Sequence, residues 1–138
     1  MLAVLLHTFS YRLMALLHIA AAIVAFGPIM LYPSLRRTGE TQAIAASHMR
    51  LTFPALVLLW VIGMGLAGMS EDAYELKQTW LALSIVVWVI LAAVSWFLIR
   101  PALTDASDGA RSKLAAGVGI THLGLAVGLV LMIWKPGL

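Results

Sequence analysis

Four stretches of the chain are long, apolar and free of Asp, Glu, Lys and Arg. Crossing the hydrocarbon core of a bilayer takes about 20 such residues. The predicted spans are residues 13–32, 51–69, 79–99 and 114–134. Of the 138 residues, 62% are hydrophobic and 11% are charged, whereas about 25% are charged in a soluble domain. The sequence therefore predicts one domain, residues 1–138, that folds as an all-α integral membrane four-helix bundle.

The ends of the predicted spans carry their own signals. The first apolar run starts at Leu2 and is too long for one upright span, so residues 2–12 are expected to form a helical extension or an interfacial helix, with His7 at the interface. Arg100-Pro101 is expected to end the third span, because the residue before a proline disfavours helical geometry. Aromatic side chains gather at membrane interfaces, which places Tyr32 and Trp96 at one of them.

Basic residues concentrate in the first and third connections, which share one face of a four-span bundle. They are Arg36, Arg37, Arg50, Arg100, Arg111 and Lys113. Since basic loops stay cytoplasmic, both termini are predicted on the outer, periplasmic or extracellular, side. The basic residues form no continuous stripe, so nucleic acid is not an expected partner. The expected partners are the lipid bilayer and either a membrane redox partner or a second copy of the chain.

Small residues mark the faces through which membrane helices pack. In the first span, His18 shares a stripe with Met14, Ala21 and Ala25. In the fourth span, one stripe contains Ala115, Gly119, His122 and Ala126, and Gly117, Thr121, Gly124 and Gly128 lie beside it. We therefore expect His18 and His122 to point into the bundle, and Ala21, Ala25, Gly124 and Gly128 to lie at helix contacts.

An imidazole facing lipid would leave a polar group unsatisfied at a cost of several kcal/mol. His18 is therefore expected either to hydrogen-bond Ser84 or a neighbouring backbone, or to ligate haem iron or another metal. His122 fits a structural hydrogen bond better than ligation. Gly27 and Pro28 predict a helix bend that opens room between helices. His48, next to Met49 and Arg50, is expected to be a solvated interfacial residue.

Other functional classes find little support in the sequence. All six Asp and Glu residues lie in connections, whereas ion-coupled transporters use carboxylates inside the membrane. No Ser-His-Asp arrangement is evident, and Ser84 and Ser95 are interpreted as helix-packing hydroxyls. A histidine–methionine pair such as His18 and Met14 suits haem iron or copper, although one helix cannot place two ligands on opposite sides of a haem.

Three segments carry a resemblance to known membrane proteins. "LLHIAAAIVAFGPIMLYPSL" (16–35), "RLTFPALVLLWVIGMGLA" (50–67) and "VLMIWKPGL" (130–138) resemble, in order, the first, second and last helices of an uncharacterised family of predicted four-helix bacterial integral membrane proteins. That family is distantly similar to the HemJ-type protoporphyrinogen oxidases and to CopD-type copper-resistance membrane domains. The resemblance implies a multi-pass protein of the bacterial cytoplasmic (inner) membrane.

The resemblance also implies a cofactor. The HemJ-type enzymes are thought to hold haem b through the histidine that corresponds to His18. Their third-helix lysine, which follows a "WL" pair, is replaced by Ser84 in "WLALS", so protoporphyrinogen oxidation is not expected. The leading hypothesis is a haem-b protein for electron transfer or haem handling, with His18 and His122 as ligands, Met14 nearby and Arg12 next to the propionates. The alternatives are a non-catalytic accessory subunit of a larger membrane complex and a copper-handling protein.

Overall fold

The computed structural model describes residues 8–70 and 73–137, and over these residues the fold is all-helical. Four helices are long and apolar enough to cross a membrane: α1 (Phe9–Arg37), α2 (Thr41–Gly68), α3 (Thr79–Thr104) and α4 (Asp108–Trp134). The prediction of an all-α chain with four candidate spans is thus confirmed, as expected of a multi-pass membrane protein. The extension predicted over residues 2–12 lies mostly outside the described residues, as does His7; α1 itself begins at Phe9.

Side-chain caps fix the starts of α1 and α4. The Thr8 hydroxyl accepts a hydrogen bond from the Tyr11 N–H at 3.4 Å, and the Ser107 hydroxyl accepts one from the Ala110 N–H at 3.1 Å. Each cap satisfies a donor that the first helical turn leaves without a partner. Between α1 and α2 the chain turns at Gly39, whose φ of 86° suits a residue without a Cβ.

Helices α2 and α3 each contain one π-helical segment, His48–Thr52 and Val94–Ile99. A proline, Pro54 or Pro101, stands two residues after each segment. Proline lacks an N–H and its ring collides with the carbonyl four residues earlier. A wider turn accommodates both effects without ending the helix.

The helix end predicted at Arg100-Pro101 is therefore wrong. Helix α3 passes through the proline and ends at Thr104. Likewise, α2 begins at Thr41, ten residues before the predicted span, so His48 lies within a helix rather than in a connection.

The helices run up and down in an antiparallel bundle, with α1 against α2 and α4, and α3 against α4. At one end, here called the basic end, the Arg36 guanidinium donates to the carbonyls of Ala102 and Asp105 and joins the first and third connections. At the other end, the C-terminal end, Lys135 Nζ donates to the Tyr74 hydroxyl at 2.7 Å. The two connections that carry most of the basic residues are therefore neighbours.

Two clusters of buried side chains hold the bundle together. Near the basic end, the cluster contains Ile29, Tyr32, Ile44, Ile99, Ala102, Leu103, Ala110, Leu114 and Val118. Nearer the middle, it contains Ala25, Phe26, Ala55, Leu56 and Leu91. The outer surface is apolar as well: Phe97 is 75% exposed and Ile133 is 69% exposed. A surface of this kind is suited to lipid.

Helices α3 and α4 approach closely at two glycines. A Cβ placed on Gly124 would lie 2.5 Å from Leu91 Cδ2, and one on Gly117 would lie 2.7 Å from Ile99 Cγ1. Gly128 has no atom within 4 Å of its Cβ position. The predicted contacts at Ala25, which is 1% exposed, and at Gly124 are confirmed, while the one at Gly128 is wrong. Ala21 is half-buried.

Gly124→Leu should loosen the bundle, because its side chain would displace Leu91 from the α3–α4 contact. Overpacking of this kind costs about 1–3 kcal/mol, which thermal unfolding in detergent would register as a lower midpoint. Gly128→Leu is the matched control on the same helix and should leave the midpoint unchanged. Equal midpoints for both variants would contradict the close approach at Gly124.

Candidate functional site

His18 lies half-buried in the interface between α1 and α2. The ring edge faces Gly63: a Cβ on that glycine would lie 3.0 Å from Cε1, 3.5 Å from Nδ1 and 4.0 Å from Nε2. The ring also interacts with the backbone of Leu59, one turn earlier on α2. Nδ1 is buried and has no hydrogen-bond partner among the described residues. Of the two hydrogen-bond partners expected for His18, Ser84 does not bond to it, and its hydroxyl donates to the Trp80 carbonyl at 2.7 Å. The other, a neighbouring backbone, corresponds to the contact with Leu59.

Met14 follows the same interface one turn nearer the C-terminal end. Its Cε would lie 3.2 Å from a Cβ on Gly65, so Met14 and His18 both pack on glycines of α2. Arg12 is exposed and lies six residues before His18, about 9 Å along the helix axis. Met14 and His18 are thus side by side on α1, as the sequence stripe predicts, and Gly63 and Gly65 receive them.

His122 does not point into the bundle, and that expectation is wrong. It is exposed, as are Ala115, Gly119 and Ala126 on its stripe. The neighbouring stripe is the buried one, with Gly117 and Thr121 on it, and the Thr121 hydroxyl is satisfied by the Gly117 carbonyl at 2.8 Å. Both stripes are rich in small residues, so composition could not choose between them. The packing of Leu91 and Ile99 decides between the two stripes, because both side chains contact glycines of the stripe that contains Gly117 and Gly124.

The space between helices that was expected at Gly27 and Pro28 lies towards the basic end of the bundle. Pro28 lines a cavity of about 520 Å³ together with Leu31, Tyr32, Leu35, Glu40, Ala43, Ile44 and Ser47. His18 is not among these residues. The space between α1 and the start of α2 therefore lies at Pro28, about ten residues from the histidine that it was expected to serve.

His48, by contrast, is the most enclosed histidine of the described chain, at 0% exposure. The expectation of a solvated interfacial residue is wrong. Its Nδ1 lies 3.0 Å from the Tyr32 hydroxyl, and its Nε2 lies 3.0 Å from the Ser95 hydroxyl. Tyr32 in turn donates to the Thr52 hydroxyl at 3.1 Å. These four side chains, here called the His48 network, connect α1, α2 and α3.

The hydrogen bonds of the His48 network are consistent with a neutral imidazole. Two neutral tautomers satisfy the network. With the proton on Nδ1, Nδ1–H donates to the Tyr32 oxygen, the Tyr32 O–H donates to Thr52 and Nε2 accepts the Ser95 O–H. With the proton on Nε2, Nε2–H donates to the Ser95 carbonyl at 3.3 Å and Nδ1 accepts the Tyr32 O–H. Each polar atom of the ring has a partner, as burial in an apolar bundle demands. Tyr32 therefore belongs to the core, at 1% exposure, and does not face outward as a residue of an aromatic belt would.

Both π segments meet at this network. His48 and Thr52 are the first and last residues of one segment, and Ser95 belongs to the other. A wide turn changes which face the following residues present, and such turns are frequent at functional sites. The sequence signal was available in Pro54 and Pro101, but a proline predicts a distortion and does not say which side chains the distortion brings together.

A groove opens between α2 and α3 beside the network. It has a volume of about 480 Å³, and its lining includes His48, Met49, Trp96, Phe97 and Arg100. The Arg100 guanidinium lies over the Trp96 ring, 4.2 Å from the centroid, in a cation–π contact. Phe53 packs on the same indole, with 5.1 Å between ring centroids.

The described chain thus presents two separate places with chemical potential. One is His18 with Met14 between α1 and α2, and the other is the groove beside the His48 network. Within residues 8–70 and 73–137, no three His, Asp or Glu side chains group as a metal site, and His18 and His122 do not converge. Comparison of the chain with protein-family models, curated protein sequences and solved structures finds no match. The family resemblance therefore stays a prediction.

His48→Ala should destabilise the protein, because it leaves the buried Ser95 hydroxyl without its partner and removes one of the two hydrogen bonds of the Tyr32 hydroxyl. Each unsatisfied group costs about 1–3 kcal/mol, so thermal unfolding in detergent should show a clearly lower midpoint. His122→Ala removes an exposed ring and should leave the midpoint unchanged. If both variants had the same unfolding midpoint as the parent protein, the His48 network would not contribute to stability.

Proposed function

We propose that the protein binds haem b inside the membrane, with His18 as its axial ligand. The observation that carries the proposal is the ring's position: its Cε1–Nδ1 edge rests against the backbone of α2, and Nε2 lies farther from Gly63. A ligating histidine is commonly oriented by contacts to its other nitrogen. The fit rests on this donor and on the buried, unpartnered Nδ1, which a nearby carbonyl such as that of Leu59 could engage.

The other residues of the first span have supporting roles in this proposal. Arg12 lies nearer the C-terminal end, where its guanidinium would attract the propionate carboxylates. Met14 shapes the same interface but, one turn from His18 on one helix, it cannot bind the opposite face of the same haem. His122 faces outward, so we assign it no part in an internal site. Haem held in this way supplies one-electron chemistry or is passed to another protein.

Protoporphyrinogen oxidation is not part of the proposal. The lysine of the HemJ-type enzymes is replaced by Ser84, and the hydroxyl of Ser84 is used within α3. We also propose that both termini lie outside and that the protein resides in a bacterial cytoplasmic membrane, because the neighbouring first and third connections carry most of the basic residues.

The exposed His122 favours a second candidate function, that of an accessory subunit in a larger membrane complex. An imidazole on the outer face of a span is costly in lipid, and Gly119 and Ala126 beside it would let another helix approach closely. Copper handling is the third candidate, since adjacent His18 and Met14 suit copper(I). Haem content separates the first candidate from the other two.

The haem proposal is tested by absorption spectroscopy of detergent-purified protein from haem-replete cells. The parent protein should show a Soret band, His18→Gly should lose it, and added imidazole should restore it by taking the place of the missing ligand. His122→Ala should keep the band. A parent protein with no Soret band, before or after hemin titration, would refute the proposal.

A second variant tests the position of the ring without removing the ligand. In Gly63→Ala the new Cβ would lie 3.0 Å from Cε1, so the ring must shift and the haem content should fall. Gly68→Ala, on the same helix, meets nothing within 4 Å and serves as the control. Equal haem contents in these two variants would show that α2 does not position His18.

Orientation is tested with single cysteines, since the chain has none of its own. An impermeant maleimide added outside cells should label Leu76→Cys at the C-terminal end and spare Ala106→Cys at the basic end. Both positions are exposed, and both should react after the membrane is permeabilised. The opposite labelling pattern would reverse the proposed topology.

A further inference from the structure

We propose that the groove between α2 and α3 binds the phosphate of an anionic membrane phospholipid, with Arg100 as the cation that holds it. The inference is independent of haem, because the groove lies near the basic end, whereas His18 precedes Tyr32 of the network by 14 residues, about 21 Å along α1. Three properties of the groove carry it: one charged group, an uncharged floor and apolar walls that continue to the outer surface.

Arg100 is the charged group. It is exposed, and its guanidinium lies over the Trp96 ring. The indole covers one face of the guanidinium, so the N–H groups in the guanidinium plane stay available as donors. In the described parts of the chain, the ion pair formed is Lys77–Glu75 at the C-terminal end, and Arg100 has no carboxylate partner. A guanidinium offers paired N–H donors that match two phosphate oxygens.

The floor of the groove carries no second charge. His48 lines it, but both ring nitrogens are engaged by Tyr32 and Ser95, in the arrangement that fits a neutral ring. Arg100 is the charged side chain of the lining, and a lone cation favours an anion over a cation as the occupant. The groove therefore provides a single positive charge beside neutral surfaces.

The walls select an amphiphile over a free anion. Phe97 is 75% exposed, and the half-buried Met49 contributes further apolar surface to the lining. At about 480 Å³, the groove is within the size range of small-molecule sites. A phospholipid would place its phosphate on Arg100 and its acyl chains along Phe97 and the lipid-facing surface of α3. Inorganic phosphate could use only the first of these contacts.

Charge also predicts which lipid is preferred. In phosphatidylcholine the phosphate is already accompanied by a choline cation, whereas in phosphatidylglycerol it carries an uncompensated charge. Basic pockets between membrane helices commonly bind anionic headgroups. We therefore infer a preference for phosphatidylglycerol, set by Arg100 alone among the groove residues.

The test is native mass spectrometry of the full-length protein released from vesicles of equal phosphatidylglycerol and phosphatidylcholine content. The parent protein should retain phosphatidylglycerol preferentially. Arg100→Gln should lower that preference about tenfold, because the positive charge and the paired donors are both lost. Arg100→Lys should lower it less, because the charge stays and the paired donors are lost. Arg111→Gln, an exposed site on α4 outside the groove lining, should leave the preference unchanged.

Two outcomes would overturn the proposal. One is an equal preference in Arg100→Gln and in the parent protein, with both showing the same thermal midpoint, since lipid would then be retained elsewhere. The other is displacement of the retained lipid by inorganic phosphate, which would make a free anion the ligand. If Arg100→Gln lowers the thermal midpoint, the test rests on Arg100→Lys. A phosphatidylglycerol preference in Arg100→Lys equal to that of the parent protein would contradict the role of the paired donors.

Discussion

A polar side chain inside this bundle must find its hydrogen-bond partner within the protein, because lipid and apolar side chains offer none. The His48 network satisfies that demand for four side chains at once and joins three helices in doing so. Apolar packing between membrane helices lacks the hydrophobic driving force that operates in water. A fully paired polar cluster can therefore fix helix register where Leu, Ile and Val alone would allow sliding.

The fold was largely predictable from the sequence, and the sites were not. Length and apolar composition decide whether a segment can cross a membrane, and these are properties of a segment by itself. The direction in which His48 or His122 points is a property of neighbouring helices. His48 stands beside Arg50, which suggests water, yet α2 begins at Thr41 and its π segment turns His48 inward. His122 stands among small residues, which suggests packing, yet the adjacent stripe receives Leu91 and Ile99.

The stripe on α1 was predicted more successfully. The predicted stripe contains Met14, His18, Ala21 and Ala25, all of which are buried or half-buried, and Ala25 is 1% exposed. Even there, the sequence did not identify Gly63 and Gly65 as the residues that receive His18 and Met14, since that pairing depends on how far α2 slides along α1. The two sites thus offer different chemistry: a half-buried imidazole, His18, between α1 and α2, and an exposed guanidinium, Arg100, between α2 and α3.

The π segment at His48–Thr52 has a consequence for the distant part of α2. A π turn amounts to one residue more than an α-helix would use over the same rise, and in an α-helix one residue corresponds to a rotation of about 100°. The azimuth of every later position on α2, including Leu59 and Gly63, therefore depends on that extra residue. An α2 shortened by one residue at this turn would keep its hydropathy and its length for spanning, but it would rotate Gly63 away from His18. The number of residues between His48 and Gly63 is therefore more tightly constrained than the identity of the apolar residues between them.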